Sequence, residues 1–227
     1  MEYDPELEKY LADMVTPERH AKFAAILQQR TRYITAVIED VRHAQNAGAV
    51  VRSCECFGVQ DLHVIENNKE FVLHTDVVCG SAQWVDVVRW NEPDADNTVS
   101  CLHSLKSRGY AIAATTLRED LPLLSPEQLP LDKPVALCLG NEEFGLSDKA
   151  HELADYHVRI PMYGFTRSFN ISVSAALCLR ALVERLRNTD KDWHLSTEER
   201  EIITRKWVRA SLKNLDRLLS GYRQRNG

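Results

Sequence analysis

The sequence predicts an α/β protein with a parallel sheet flanked by helices. Short apolar runs at 33–38 (YITAVI), 110–115 (YAIAAT) and 135–139 (VALCL) have the length of strands and the continuous apolar character of strands buried on both faces. They alternate with longer segments of helical period, the pattern of a parallel sheet. Three hand-overs into helices carry Gly, Asn, Ser and acidic residues, at the places where open α/β sheets bind small ligands. The chain has 227 residues, 44% of them hydrophobic, enough for one sizeable core.

The elements follow in order. The first 30 residues read as short amphipathic helices, with Leu7, Leu11, Phe23, Ile26 and Leu27 at the apolar positions. Residues 33–38 form a strand. Asn46 stands at the cap position of a helix over 46–57, and Gly58 ends it. Residues 62–65 (LHVI) are the next strand, 77–82 a short helix and 84–90 a strand. A helix over 98–108 closes at Gly109 and leads into the strand 110–115; 121–134 is a proline-punctuated loop. The buried strand 135–139 runs into Gly140, and Ser147 or Asp148 then offers a helix cap. A strand at 157–160 precedes a loop shaped by Pro161 and Gly164, then a helix over 171–187. That helix carries Val173, Ala176, Leu177, Leu179 and Leu182 around much of its circumference. Residues 188–196 read as a linker, and a last helix spans 197–219.

Net charge is −5 and the sequence pI about 5.9, which argues against a protein that coats nucleic acid with its whole surface. The average hides an asymmetry: residues 202–227 hold seven Lys or Arg against the single acid Asp216. In the last helix, Arg205, Arg209, Lys213 and Arg217 recur every four residues and predict one basic stripe. Such a stripe is either a solvated face or a contact with an anionic partner.

Of the six cysteines, Cys79, Cys138 and Cys178 sit in apolar runs, as reduced core thiols do, and Cys54 and Cys56 point to different faces of one helix. No His/Cys pair has zinc spacing, so no metal is expected. The acidic start MEYDPELEKY is not a signal peptide, and no apolar run approaches membrane-spanning length. The expectation is a cytoplasmic protein without membrane contact.

Three stretches carry the chemistry. In the first, Asn46, Gly48, Ala49 and Arg52 open a helix; a cap with a snorkelling Arg explains it as well as a site does. The residues flanking Arg52 (Val50, Val51, Cys54 and Phe57) argue against full solvation. In the second, a buried strand enters a turn holding Gly140, Glu142 and Gly145, with Glu143 facing solvent. In the third, Ser168, Asn170 and Ser172 alternate with apolar residues before the helix. No G-x-G-x-x-G follows the first strand, so a dinucleotide oxidoreductase is poorly supported.

In this order and spacing, Asn46-x-Gly-Ala-x-x-Arg52, Gly140-Asn-Glu142-x-x-Gly145 and Ile160-Pro161-Met162 with Ser168-x-Asn170-x-Ser172 resemble the three motifs of the SpoU family of RNA 2′-O-ribose methyltransferases, in the SPOUT class. The resemblance covers about 33–186, and the flanks are similar to those of the TrmH branch, which modifies the D-loop guanosine of tRNA. The sequence departs from the family pattern at Ala44-Gln45, where Pro-His is common, and at Phe169 and Ile171, where Leu and Val are usual.

The resemblance implies a deep trefoil knot closing the C-terminal part of the sheet, with terminal helical extensions: an N-terminal extension over 1–32, the methyltransferase domain over 33–188 and a basic C-terminal extension over 189–227. It implies S-adenosylmethionine as methyl donor, leaving S-adenosylhomocysteine, held by Thr115, Leu139, Gly140, Ile160, Met162 and Phe169. It makes Arg52 the central catalytic residue, with Asn46, Glu142, Ser168 and Asn170 around it. It also implies a homodimer acting on tRNA, with Arg205, Arg209, Lys213 and Arg217 on the RNA backbone. Ribosomal RNA is the alternative substrate. A non-catalytic RNA-binding protein on the same fold is expected to lose Arg52, Glu142 or Asn170, and all three are present.

Overall fold

The computed structural model describes residues 4–72 and 80–226. They divide into two compact units, one formed by 31–193 and one by the N-terminal residues to 30 together with those from 194 onward.

The larger unit is a sheet with helices. Its described elements are β1 (Ile34–Glu39), α1 (Ala44–Phe57), β2 (Asp61–Ile65), a 3₁₀ turn (Ser81–Trp84), β3 (Asp86–Trp90), α2 (Asn97–Ser107), β4 (Ala111–Thr115), β5 (Leu123–Leu124), β6 (Val135–Leu139), α3 (Asp148–Leu153), β7 (Tyr156–Val158) and α4 (Ile171–Arg187). The strands make one seven-stranded parallel sheet among the described residues, in the order β3-β2-β1-β6-β4-β7-β5. β1 and β6 are buried at every residue, which explains why β6 is apolar throughout and β1 is apolar apart from Thr35 and Glu39, without alternation. One face packs against α1 and α4 through Val50, Val51, Cys54, Ala175, Leu179 and Leu182. The other packs Cys101, Leu102 and Leu105 of α2 against Ile112, Ala136 and Cys138.

The helix boundaries follow local chemistry. Gly58, at φ 78°, ends α1 in the left-handed conformation that costs glycine least. Asp96, Ser147 and Asn170 cap α2, α3 and α4 through their side-chain oxygens. Asn46 is not a cap: α1 begins at Ala44 with His43 before it, so the Asn46 side chain is available for other work. The short β5, at the sheet's edge, falls inside the stretch expected to be loop. The expected helix at 77–82 falls partly on 77–79, outside the described residues; beyond them the chain forms the 3₁₀ turn, which takes Trp84 out of the strand. Cys79 also lies outside the described residues. Cys138 and Cys178 are buried, and burial pushes the Cys178 thiol up to about 12 and that of Cys138 well above its ordinary value.

The smaller unit holds α5 (Pro5–Ala12), α6 (Pro17–Leu27), α7 (Thr197–Ser211) and α8 (Leu215–Asn226). Trp207 meets the Phe23 ring edge-on at 5.6 Å, and the Arg30 guanidinium lies 5.4 Å from the Trp207 ring centre. Ser196 and Glu199 form a reciprocal capping box at the start of α7. The single helix expected over 197–219 is two: the chain breaks at Leu212, and Asn214 takes φ 58° before α8. Asn is one of the few non-glycine residues that enter this region readily. Among the described residues no helix is long and apolar enough to cross a membrane, and no three His, Cys, Asp or Glu gather as metal ligands.

Candidate active site

A cavity of about 480 Å³ opens at the carboxyl ends of β4, β6 and β7. Its walls come mainly from three segments, 115–118 at the end of β4, 139–146 at the end of β6 and 158–174 at the end of β7, with His151 of α3 added. This is the edge at which open parallel sheets take ligands.

The middle wall is the most constrained. Gly140 has no room for a side chain, because a Cβ there would lie 1.9 Å from the carbonyl carbon of Gly145 and 2.0 Å from the nitrogen of Leu146. The loop folds back on its own start. Asn141 and Gly145 exchange two backbone hydrogen bonds of 3.1 Å, and Gly145 sits at φ 74°. The Asn141 Oδ1 accepts from the N–H groups of Glu143 and Phe144, at 3.0 and 2.7 Å. Both turn glycines are thus demanded by geometry, one by contact and one by backbone angle.

All six residues expected to hold the cofactor line the cavity: Thr115, Leu139, Gly140, Ile160, Met162 and Phe169. Glu142 and Ser168 line it too. Leu139, Leu146, Val158 and Ile171 give it a buried apolar floor. A slot with an apolar floor, a backbone brought close at Gly140 and polar groups at the rim fits an adenosine-type ligand in size and chemistry.

Asn46 and Asn170 are outside the lining but bind to it. Asn170 Nδ2 donates to Asn46 Oδ1 at 3.1 Å, and Asn46 Nδ2 donates to Glu142 Oε1 at 2.5 Å. Glu142 Oε2 accepts from the Arg42 N–H at 3.3 Å, and Asn170 Oδ1 accepts from the N–H and hydroxyl of Ser172 at 2.9 and 2.6 Å. One chain of hydrogen bonds therefore joins the three motifs. Burial pushes the Glu142 carboxyl up, but hydrogen bonds from Asn46 and two backbone N–H groups, with nearby His43, outweigh it and hold the carboxyl below its ordinary range.

Arg52 is not in the cavity lining. It lies on the exposed side of α1, contrary to the expectation from its apolar neighbours. The buried positions of α1 are Ala47, Gly48, Val50, Val51 and Cys54, a stripe at helical spacing that position 52 falls outside. Glu143 is half-exposed, as expected, and pairs with Arg42.

Sequence reasoning missed Arg118, Phe144, His151 and Arg159, all of which line the cavity. Arg118 pairs with Asp148, and Arg159 with Glu119 at 3.1 Å. His151 is buried and stacks on His157 with ring centres 5.5 Å apart. Burial first, then the charges of Arg118 and His157, lowers its pKa. Arg159 directly follows β7 and Arg118 lies three residues past the end of β4, so the strand-end rule applied to β4 and β7 finds them. His151 lies one turn inside α3 and carries no such signal.

In the smaller unit the four basic residues do not form one stripe. Arg205 and Arg209 are on α7, Lys213 is in the break and Arg217 is on α8. Arg209 is paired with Glu8 at 2.6 Å.

A ligand cavity walled by the turns after three parallel strands defines an α/β ligand-binding protein of the open-sheet class. The SpoU rRNA Methylase family model matches residues 33–180. The tRNA (guanosine(18)-2′-O)-methyltransferase of Borreliella burgdorferi is 37% identical over 204 residues, 90% of each chain. The enzyme of the same name from Thermus thermophilus is 32% identical over 72% of this chain and 81% of its own. The crystal structure of the Aquifex aeolicus TrmH/SpoU tRNA modifying enzyme superposes with a TM-score of 0.75 at 28% identity, covering 86% of this chain and 98% of that one. The chain belongs to the SpoU methylase family, and it is a methyltransferase.

Proposed function

We propose that this protein transfers a methyl group from S-adenosylmethionine to the ribose 2′-oxygen of guanosine 18 in tRNA. The observation that carries the reading is the hydrogen-bond chain Asn170–Asn46–Glu142, which ties three distant motifs to the rim of one cavity. The relatives that match nearly end to end bear the name of that activity. We read residues 1–32 and 189–227 as terminal extensions of the methyltransferase domain at 33–188. The insertion of β6 between β1 and β4, with its loop folded back at Gly140, supports a trefoil knot. The exposed Val173 and Leu177 of α4 support pairing with a second copy. Reduced cysteines and an RNA substrate fit the cytoplasm.

When bound, S-adenosylmethionine supplies a methyl group already activated on a sulfonium centre. The residues then have two tasks: to hold the 2′-hydroxyl in line and to ease the loss of its proton. The apolar floor, Phe169 and the backbone at Gly140 would hold the cofactor. Asn46, Glu142, Ser168 and Asn170 orient the ribose and the groups beside it. A guanidinium does not surrender its proton near neutrality. Arg52 therefore serves as a clamp on the adjoining phosphate, and its charge stabilises the negative charge growing on the ribose oxygen. Arg205, Arg209, Lys213 and Arg217 contact the tRNA backbone.

Arg52→Ala is expected to bind S-adenosylhomocysteine like the wild type while losing about 100-fold or more in turnover, the scale of removing one electrostatic contact to the transition state. Near-normal methylation by this variant removes Arg52 from the mechanism. Mapping 2′-O-methyl groups in RNA from cells with and without the protein distinguishes tRNA from ribosomal RNA; a missing mark elsewhere than tRNA guanosine 18 overturns the substrate.

A further inference from the structure

We infer that Glu39, which does not line the cavity, is a positioning residue for the cofactor loop and sets the affinity for the methyl donor from behind it. The inference rests on the cavity being the S-adenosylmethionine site.

Glu39 is the last residue of β1 and is 3% exposed. Its two carboxyl oxygens gather donors from two other elements. Oε2 accepts from the Ser147 N–H at 2.7 Å, and Oε1 accepts from the Ser147 hydroxyl at 2.8 Å and from the Thr98 hydroxyl. Thr98 lies in α2, and its oxygen accepts from Asn67 Nδ2 at 2.8 Å. Asn67 Oδ1 in turn accepts from the Asn97 N–H at 3.0 Å. The carboxyl is therefore held from one side by α2 and the turn after β2.

From the other side it holds the loop. Ser147 ends the 140–147 segment and caps α3, its oxygen accepting from the Ala150 N–H at 3.2 Å. Its hydroxyl proton goes to Glu39, which leaves a lone pair for the cap. The residue before it, Leu146, is buried in the cavity floor and abuts Gly140. Gly140 lies so close to Gly145 and Leu146 that no side chain fits between them, and Glu39 anchors the far end of the same loop through Ser147. A buried group holding a binding loop through its own satisfied hydrogen bonds is how outer residues tune affinity without touching the ligand.

The test is a double-mutant cycle on Glu39 and Ser147 in the full-length protein, with S-adenosylhomocysteine binding measured by calorimetry. Glu39→Ala is expected to weaken binding about tenfold, the scale of a lost buried hydrogen-bonded group. Ser147→Ala is expected to weaken it less, and to have little further effect in the Glu39→Ala background. Methylation kinetics are expected to show a raised KM for the methyl donor with kcat at saturation nearly unchanged. Glu39→Gln keeps an acceptor for the Ser147 N–H and can donate to the two hydroxyls, so it recovers most of the affinity; if the Glu39→Ala variant does not fold, Ser147→Ala, which is expected to weaken binding by itself, carries the test. Folded variants that melt earlier yet bind within twofold of the wild type, with additive effects, overturn the inference and leave Glu39 a core residue. A wild-type chain that binds no S-adenosylhomocysteine overturns the cofactor reading itself, and this one with it.

Discussion

The cavity at the sheet edge and the helical unit at the chain ends both place polar residues where the sequence suggests function, yet they are held differently. Around the cavity, a close backbone contact and short amide side chains do the holding. Gly140 packs against the peptide of Gly145, Asn141 folds the turn with its side chain, and Asn46 bridges Glu142 and Asn170. In the terminal unit, side chains on helix surfaces do it. Arg209 reaches Glu8, Arg19 Nη2 donates to Ser211 at 3.2 Å and Arg200 Nη1 to Gln28 at 3.2 Å. A site fixed by backbone contact fails abruptly when one atom is added. A surface fixed by long side chains loses affinity in small steps.

Gly140→Ala is the sharpest way to break the contrast. Its methyl group would land 1.9 Å from backbone rather than from a side chain able to swing away. We expect affinity for S-adenosylhomocysteine to fall by about 100-fold or more, at the upper end of overpacking costs. Calorimetry with far-UV circular dichroism checks it. Retained affinity with an unchanged melting curve shows that the loop is not held at Gly140.

Acid sharpens it from within the sheet unit. His63 on β2 is 1% exposed, and its Nδ1 accepts from the Trp90 indole N–H at 3.1 Å. Burial first, and the Arg108 charge second, push its pKa down to about 4, against 6.5 in the unfolded chain. The folded state therefore binds fewer protons between these values. The resulting stability is fully present above pH 6.5 and is lost as pH falls toward 4, a change on the order of 3 kcal/mol. Denaturant unfolding of the wild type and His63→Gln at pH 7 and pH 4 measures it. The glutamine variant, which still offers Trp90 an acceptor, is expected to show a smaller drop; equal drops put the acid sensitivity elsewhere.

The sequence made the sheet legible because its strands are buried on both faces and so are apolar without interruption, as at 135–139. The cavity's middle and last walls were legible too, since Gly140, Gly145 and the cap residue Asn170 carry backbone demands that few residue types meet. What stayed hidden depends on direction. Asn46 looks like a cap until the helix is seen to begin two residues earlier. Arg52 looks sheltered until the buried stripe of α1 is seen to pass it by. Glu39 looks like an ordinary acid after a strand, because its partners Thr98 and Ser147 are 59 and 108 positions away. The break before α8 rests on a local conformation at Asn214 that helical periodicity does not register.

That break decides the smallest effect. One continuous stripe of Arg205, Arg209, Lys213 and Arg217 predicts four equivalent phosphate contacts, whereas the structure gives three settings: α7, the break and α8. Arg209 also holds Glu8, with side chains 24% and 16% exposed. Its removal is expected to cost stability as well as RNA affinity. Arg205→Ala, Lys213→Ala and Arg217→Ala should each weaken tRNA binding severalfold and lower the slope of log affinity against log salt by about 0.7 to 0.9, as for one lost phosphate contact. Filter binding across a salt series, with thermal melts of the same variants, separates the two. If Arg209→Ala alone lowers the melting temperature and the other three leave the salt slope unchanged, Arg209 serves the folding of this unit through Glu8 and the tRNA contact lies elsewhere.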